Sequence, residues 1–232
     1  MTDTHHAHRH EHHHDHPRER HPEEAAAGTP SEYWDARYRR SERIWSGAPN
    51  AALVRESADL VPGSALDLGC GEGADAVWLA RQGWRVTGVD ISEVALGRAA
   101  EHAREAGVAE RIEWRLQDLA DGLPDGGHQL VSAHFLHSEV ELPRERILRG
   151  AAEAVAPGGV LLVVGHTGVP HWSAQPERAV ALPGPDEVLA ALDLPAGDWE
   201  TLRKEETERT GTDPEGRPMV WVDSVLKLRR LR

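Results

Sequence analysis

The stretch that decides the fold is Ala65-Leu66-Asp67-Leu68-Gly69-Cys70-Gly71-Glu72-Gly73-Ala74. A short apolar strand runs into three closely spaced glycines, then into a segment with Ala74, Val77 and Trp78 on one helical face. Strand, glycine turn and helix in that order bring backbone close to a ligand and aim helix N–H groups at it. Read as Gly69-x-Gly71-x-x-Ala74, the turn also fits the relaxed dinucleotide fingerprint, so alone it names no single ligand.

Working outward, strand-like and helix-like segments alternate. Arg85 to Asp90 reads as a second strand, and Ser92 caps a helix to about Glu105 that Gly107 closes. Arg111 to Leu116 alternates, with Ile112, Trp114 and Leu116 on one side; Gln129 to Phe135 is a further strand. A helix from about Pro143 carries Ile147, Leu148, Ala151 and Val155 and is expected to stop at Pro157-Gly158-Gly159. Val160 to Val164 is a continuous apolar run, the pattern of a central strand covered on both faces. After a helix over Pro185 to Leu192, two long strands, Trp199 to Arg209 and Pro218 to Leu228, flank a turn-rich connection. The pattern predicts an α/β fold: a Rossmann-like doubly wound, mostly parallel seven-stranded sheet finished by a C-terminal antiparallel hairpin.

Residues 1–30 read as a disordered histidine-rich tail and linker, and 31–232 as one domain. The tail holds His5, His6, His8, His10, His12, His13, His14, His16 and His21 with almost no apolar side chains, too little to offset ordering entropy. Its imidazoles are ligands for nickel, copper or zinc, at spacings that specify no catalytic geometry. Ser31 is the expected N-cap of a first helix with Tyr33, Trp34 and Tyr38, and a short helix is expected around Ala51 to Leu60.

Over the 232 residues, 26 Lys and Arg oppose 39 Asp and Glu, a formal charge of −13. That sign disfavours nucleic acid as a partner. The single cysteine, Cys70, excludes an intramolecular disulfide and points to a reducing compartment. No apolar run approaches the roughly 20 residues of a membrane span, so no membrane association and a cytoplasmic location are expected.

Asp67, Asp90 and Asp118 fall at the carboxyl ends of three predicted strands, where open α/β sheets bind ligands. Asp67, inside its strand end, needs a partner such as a ligand ammonium. Asp90 lies where a carboxylate accepts both hydroxyls of a ribose. Asp118 is either a third polar contact or a loop cap.

As a set, Asp67-Leu68-Gly69-Cys70-Gly71-Glu72-Gly73, Val89-Asp90-Ile91-Ser92, Gln117-Asp118-Leu119 and Pro157-Gly158-Gly159-Val160-Leu161-Leu162 resemble the class I S-adenosylmethionine-dependent methyltransferases. The lead-in Tyr33-Trp34-Asp35-Ala36-Arg37-Tyr38, with Trp45-Ser46-Gly47, is similar to the branch of tellurite-resistance and thiopurine methyltransferases. The resemblance implies S-adenosylmethionine as cofactor, with Gly69, Gly71 and Gly73 against its methionine part and Asp67 near the amino end. It implies Asp90 on the ribose hydroxyls, Ile91 on adenine, and Asp118 on the adenine amino group with Leu119 beside it. Cys70 becomes a small packed residue of the turn, and His134 borders the sulfonium.

A sulfonium methyl is already activated, so placing a nucleophile in line is the main requirement. Candidate bases are His134 and His137, with His166 and His171 behind them. No carboxylate–histidine pair of catalytic spacing is legible in the sequence, which favours a soft sulfur, selenium or related acceptor on a small molecule. The loop from Thr167 to Pro185, with His171 and Trp172, and the aromatics Trp34 and Trp45 are expected to wall the acceptor site. The alternatives are an NAD(P)-binding oxidoreductase and a non-enzymatic metal-binding protein acting through the tail.

Overall fold

The computed structural model describes residues 28–40, 47–168, 182–212 and 218–232. The tail histidines, Trp45, and the loop residues His171 and Trp172 lie outside them. Two helices, α1 (Pro30–Arg39) and α2 (Ala51–Ser57), precede an alternating run. It comprises β1 (Ser64–Leu68), α3 (Ala74–Arg81), β2 (Arg85–Asp90), α4 (Glu93–Glu105), β3 (Ile112–Leu116), β4 (His128–His134), α5 (Arg144–Glu153) and β5 (Val155–His166). The chain closes with α6 (Pro185–Ala191), β6 (Trp199–Thr212) and β7 (Pro218–Arg230).

The seven strands form one sheet in the order β3-β2-β1-β4-β5-β7-β6. The pairs among β1 to β5 are parallel, and β7 runs antiparallel to both β5 and β6. This is the expected doubly wound sheet with its hairpin. Alternation along the strands builds two cores. Leu66, Leu68, Val131, Leu161 and Val163 pack against Ile147 and Leu148 of α5 and Val188 of α6. Ala65, Leu130, Leu162 and Val164 pack on the other face against Leu53 of α2 and Leu79 of α3. Among the described residues no helix is long and apolar enough to cross a membrane.

Three local expectations change. The N-cap of α1 is Thr29, not Ser31: Thr29 and Glu32 form a reciprocal capping box around Pro30. Ser31 instead donates its hydroxyl to the Ile91 carbonyl (3.1 Å). Leu116 is 59% exposed, because β3 is an edge strand with a single neighbour. The helix α5 ends before Pro157-Gly158-Gly159, with its C-cap at Ala154, and β5 already begins at Val155, which pairs with His128 across a register shift in β4.

The hairpin is pinned to α2 by buried charge. Glu56 accepts from Arg55 (2.7 Å) and Arg203 (2.9 Å) and lies 3.8 Å from buried Lys227, whose other partner is Asp59 at 3.2 Å. Glu56→Ala leaves the Lys227 ammonium buried with one carboxylate, and is expected to cost about 3 kcal/mol in urea unfolding.

Candidate active site

The site grows from the glycine turn. Gly69, Gly71 and Gly73 all have positive φ (71°, 52° and 81°), a backbone that non-glycine residues rarely adopt. Space is equally short at Gly73, where a Cβ would sit 2.7 Å from the Trp114 ring and 2.8 Å from the Ala99 Cβ. The amides of Gly69 and Cys70 both donate to the Val89 carbonyl (2.9 and 3.0 Å), which docks the turn on β2. Arg98 of α4 holds the Glu72 carboxylate at 2.7 Å, and the His102 ring meets the Glu72 carbonyl at 2.9 Å.

Asp90 is buried at the end of β2, with Oδ2 accepting the Gly71 amide (2.8 Å) and Oδ1 the Ser92 amide (2.9 Å). Burial raises its pKa, and the amides of Ser92, Gly71 and Ile91 pull against that rise without cancelling it. Cys70 sits beside these groups; burial, with the charges of Asp90 and Asp67, pushes its thiol well above the usual range, so it is no thiolate nucleophile at neutral pH. Asp118 caps the short 3₁₀ turn after β3 by accepting the Ala120 amide (2.8 Å). Leu119 is buried beside it and lines a groove of about 620 Å³ between that turn and α5, which contains none of the three strand-end acids.

Asp67, Ser132 and His134 lie on the sheet face that carries α3. Asp67 Oδ1 accepts the Ser132 hydroxyl (3.0 Å), and its Oδ2 is buried without a partner. Burial and the charge of Asp75 raise its pKa to about 7, with His134 and Ser132 working the other way. His134 Nδ1 meets Asp75 Oδ2 at 2.6 Å, while Nε2 is also buried without a partner. Burial lowers the His134 pKa, but the hydrogen bond and charge of Asp75, helped by Asp67, hold it above the ordinary value. Asp75 is fixed in turn by the Asn50 amide at the start of α2 (2.6 Å).

A second histidine–carboxylate pair closes the other side. His166 at the end of β5 faces Asp223 of β7, with Nδ1 to Oδ1 at 2.7 Å. The expectation that no such pair exists is therefore corrected twice. Both pairs join residues nearly sixty positions apart, so only the folded sheet brings them together. His137 accepts the His166 amide at Nε2 (3.2 Å). Burial, the Arg144 charge and then His166 lower its pKa to about 4, which makes it a weak base near neutrality.

The helix α1 lies across this edge of the sheet. Asp35 accepts the Ser92 hydroxyl (2.6 Å) and the Val94 amide (3.3 Å), anchoring α1 to the start of α4. At the opposite side, Tyr33 and Arg37 reach Glu139 in the loop after β4 (2.9 and 3.3 Å). Trp34 packs between Tyr33, Tyr38 and the Arg37 guanidinium.

Comparison with known proteins bears on the domain and its fold. Residues 65–159 match the family described as a methyltransferase domain. A ribosomal RNA small subunit methyltransferase C from Alcanivorax borkumensis is 34% identical over 113 residues, 47% of this chain and 34% of that protein. The chain spans between 34% and 59% of the length of the first curated relatives it matches. Among solved structures, one titled for conversion of a disulfide bond into a thioacetal group during echinomycin biosynthesis has TM-score 0.64 and 27% identity, covering 86% of this chain and 92% of that one. TehB from Haemophilus influenzae has TM-score 0.62 and 21% identity, covering 87% and 67%, a likeness of fold. Residues 65–159 thus carry a methyltransferase domain, set in the seven-stranded sheet described above.

Proposed function

We propose that the protein transfers a methyl group from S-adenosylmethionine to a small-molecule acceptor. The observation that carries this reading is the buried, unpartnered Oδ2 of Asp67 beside three left-handed glycines. A buried carboxylate oxygen without a donor is costly, and the ammonium of the cofactor's methionine part supplies that donor. Gly69, Gly71 and Gly73 then run along the methionine, with Cys70 packed behind them. Asp90 retains lone pairs for the ribose hydroxyls. Ile91 and Leu119 flank adenine, and the second oxygen of Asp118 takes its amino group. His134, held by Asp75, borders the sulfonium. When bound, the cofactor supplies an electrophilic methyl group; the chain holds it, excludes water and orients the acceptor.

The match to a methyltransferase domain favours this reading over NAD(P)-dependent oxidation. The charge of −13 supports a small molecule over nucleic acid. Sulfur, selenium or tellurium acceptors, as in the tellurite-resistance and thiopurine branch, lose one support now that histidine–carboxylate pairs exist. The thioacetal-forming neighbour keeps sulfur in the comparison. The test is formation of S-adenosylhomocysteine across thiols, metalloid oxyanions, phenols, amines, peptides and nucleic acids. Turnover confined to nucleic acid or protein would contradict the proposal.

The histidine tail is proposed as a separate nickel, copper or zinc tract, in a protein that works inside the cytoplasm. Deleting residues 1–24 is expected to remove most nickel or zinc binding in an equilibrium dialysis experiment. Cofactor affinity should be unchanged, since every residue assigned to the cofactor lies between 67 and 134. A loss of cofactor affinity would overturn the two-part division.

A further inference from the structure

We propose that His166, oriented by Asp223, is the general base that takes a proton from the acceptor, and that the acceptor is a small aromatic molecule with an ionisable O–H or N–H. This rests on the methyltransferase function proposed above and adds its acceptor class.

His166 and Asp223 form a cross-strand pair where β5 ends, at the same edge of the sheet as the glycine turn at the end of β1. Their side chains are 18% and 13% exposed, so the pair is desolvated yet reachable. An Asp that accepts Nδ1–H fixes the tautomer in which Nε2 is the basic atom and stabilises the imidazolium that forms. The His134–Asp75 pair is less suited to proton removal. Its imidazole Nε2 is sealed, and it adjoins Asp67 at the proposed amino end of the cofactor.

The surroundings of His166 are built for a flat ligand. Phe135 lies 4.5 Å from its ring centroid, Trp221 5.4 Å, and the His137 ring stacks at 6.0 Å and 16°. Phe135 is held at φ 49°, in the left-handed region, while its amide bonds Val164 (2.8 Å) and its carbonyl accepts the His137 amide (2.7 Å). Strained non-glycine backbone of this kind persists where surrounding contacts over-determine it, and it occurs preferentially at functional sites. Among the described residues, the charged or titratable groups near His166 include Asp223 from β7, His137 from the loop after β4, Arg144 of α5 beside Gly165, and Glu206 of β6, which accepts the Thr167 hydroxyl.

As the acceptor heteroatom bonds to the methyl carbon, its proton passes to Nε2 of His166. The methyl–sulfur bond breaks with its electron pair left on sulfur. Asp223 holds the imidazolium until the proton returns to solvent.

The test uses the full chain saturated with S-adenosylhomocysteine. On adding 4-nitrophenol, the His166 ring signals in the NMR spectrum, assigned through His166→Asn, should shift, and Asp223→Asn should reduce that response. In turnover of a panel of phenols, N–H heteroaromatics and thiols, both variants should lower kcat about 100- to 10,000-fold with KM within a few-fold. The acidic limb of the wild-type pH profile should vanish in His166→Asn. S-adenosylhomocysteine affinity should match wild type in both variants, which also reports folding. The proposal is overturned if the ring signals stay unmoved by every aromatic acceptor offered, if only acceptors without a dissociable proton or only thiols react, or if His166→Asn keeps wild-type kcat and pH profile. Absence of S-adenosylhomocysteine binding in wild type would remove the parent function as well, whereas binding with an unresponsive His166 would remove the base alone.

Discussion

Replacing Asp90 with alanine is expected to weaken S-adenosylhomocysteine binding by about ten- to a hundredfold, the loss of charge-assisted hydrogen bonds worth roughly 1.5–3 kcal/mol. The same substitution strips the Gly71 and Ser92 amides of their acceptor. Buried donors left unpaired cost about 1–3 kcal/mol each, partly offset by removing a buried charge, so a further loss of about 3 kcal/mol in folding stability is expected. Asp90→Asn keeps one acceptor oxygen and should retain more of the fold than of the affinity. Calorimetric titration and urea unfolding of both variants separate the two effects. Unchanged affinity in a folded Asp90→Ala protein would remove this residue from the cofactor site.

The second large effect is a proton linkage at Asp67. Its carboxyl is raised to about 7 in the free protein, first by burial and then by the charge of Asp75. An ammonium placed against Oδ2 favours the ionised form and lowers that pKa in the complex. Binding therefore releases a proton below pH 7. Affinity for S-adenosylhomocysteine should rise by up to about tenfold per pH unit as pH climbs toward 7 and level off above it. In Asp67→Asn the affinity should be lower and its dependence between pH 5.5 and 7.5 nearly flat. Titrations in two buffers of different ionisation enthalpy count the proton directly. A wild-type affinity that falls as pH rises through this window would have the wrong sign for the account.

What was legible in the sequence was local. The glycine turn, the Ser92 cap of α4 and the apolar run of β5 are patterns within a dozen residues, and they suffice for the parallel sheet and for placing Asp67 and Asp90 at the ends of β1 and β2. The turn-rich connection near 211–216 announced the hairpin, but its register was not readable, and that register is what sets Asp223 opposite His166. Asp75 is another such case: as a first-turn acid of α3 it resembles any helix-start carboxylate, and only the parallel register of β1 and β4 brings His134 to it. Trp114 reads as one more inward residue of β3, yet its ring covers Gly88, where a Cβ would approach within 2.6 Å, and crowds Gly73. Both histidine–carboxylate pairs described here are products of tertiary packing, one across strands and one between a strand and α3, so no spacing rule along the sequence reveals them.

The most direct test of the central claim is calorimetry of the full chain at pH 7.5 with S-adenosylmethionine, S-adenosylhomocysteine, NAD and NADP, repeated with Asp67→Asn. Saturable one-to-one binding of the two adenosyl sulfur compounds is expected, with none of the nicotinamide dinucleotides and with weakened binding in the variant. Saturable binding of NAD or NADP with none of S-adenosylhomocysteine, or an Asp67→Asn protein that binds as tightly as wild type, would contradict it.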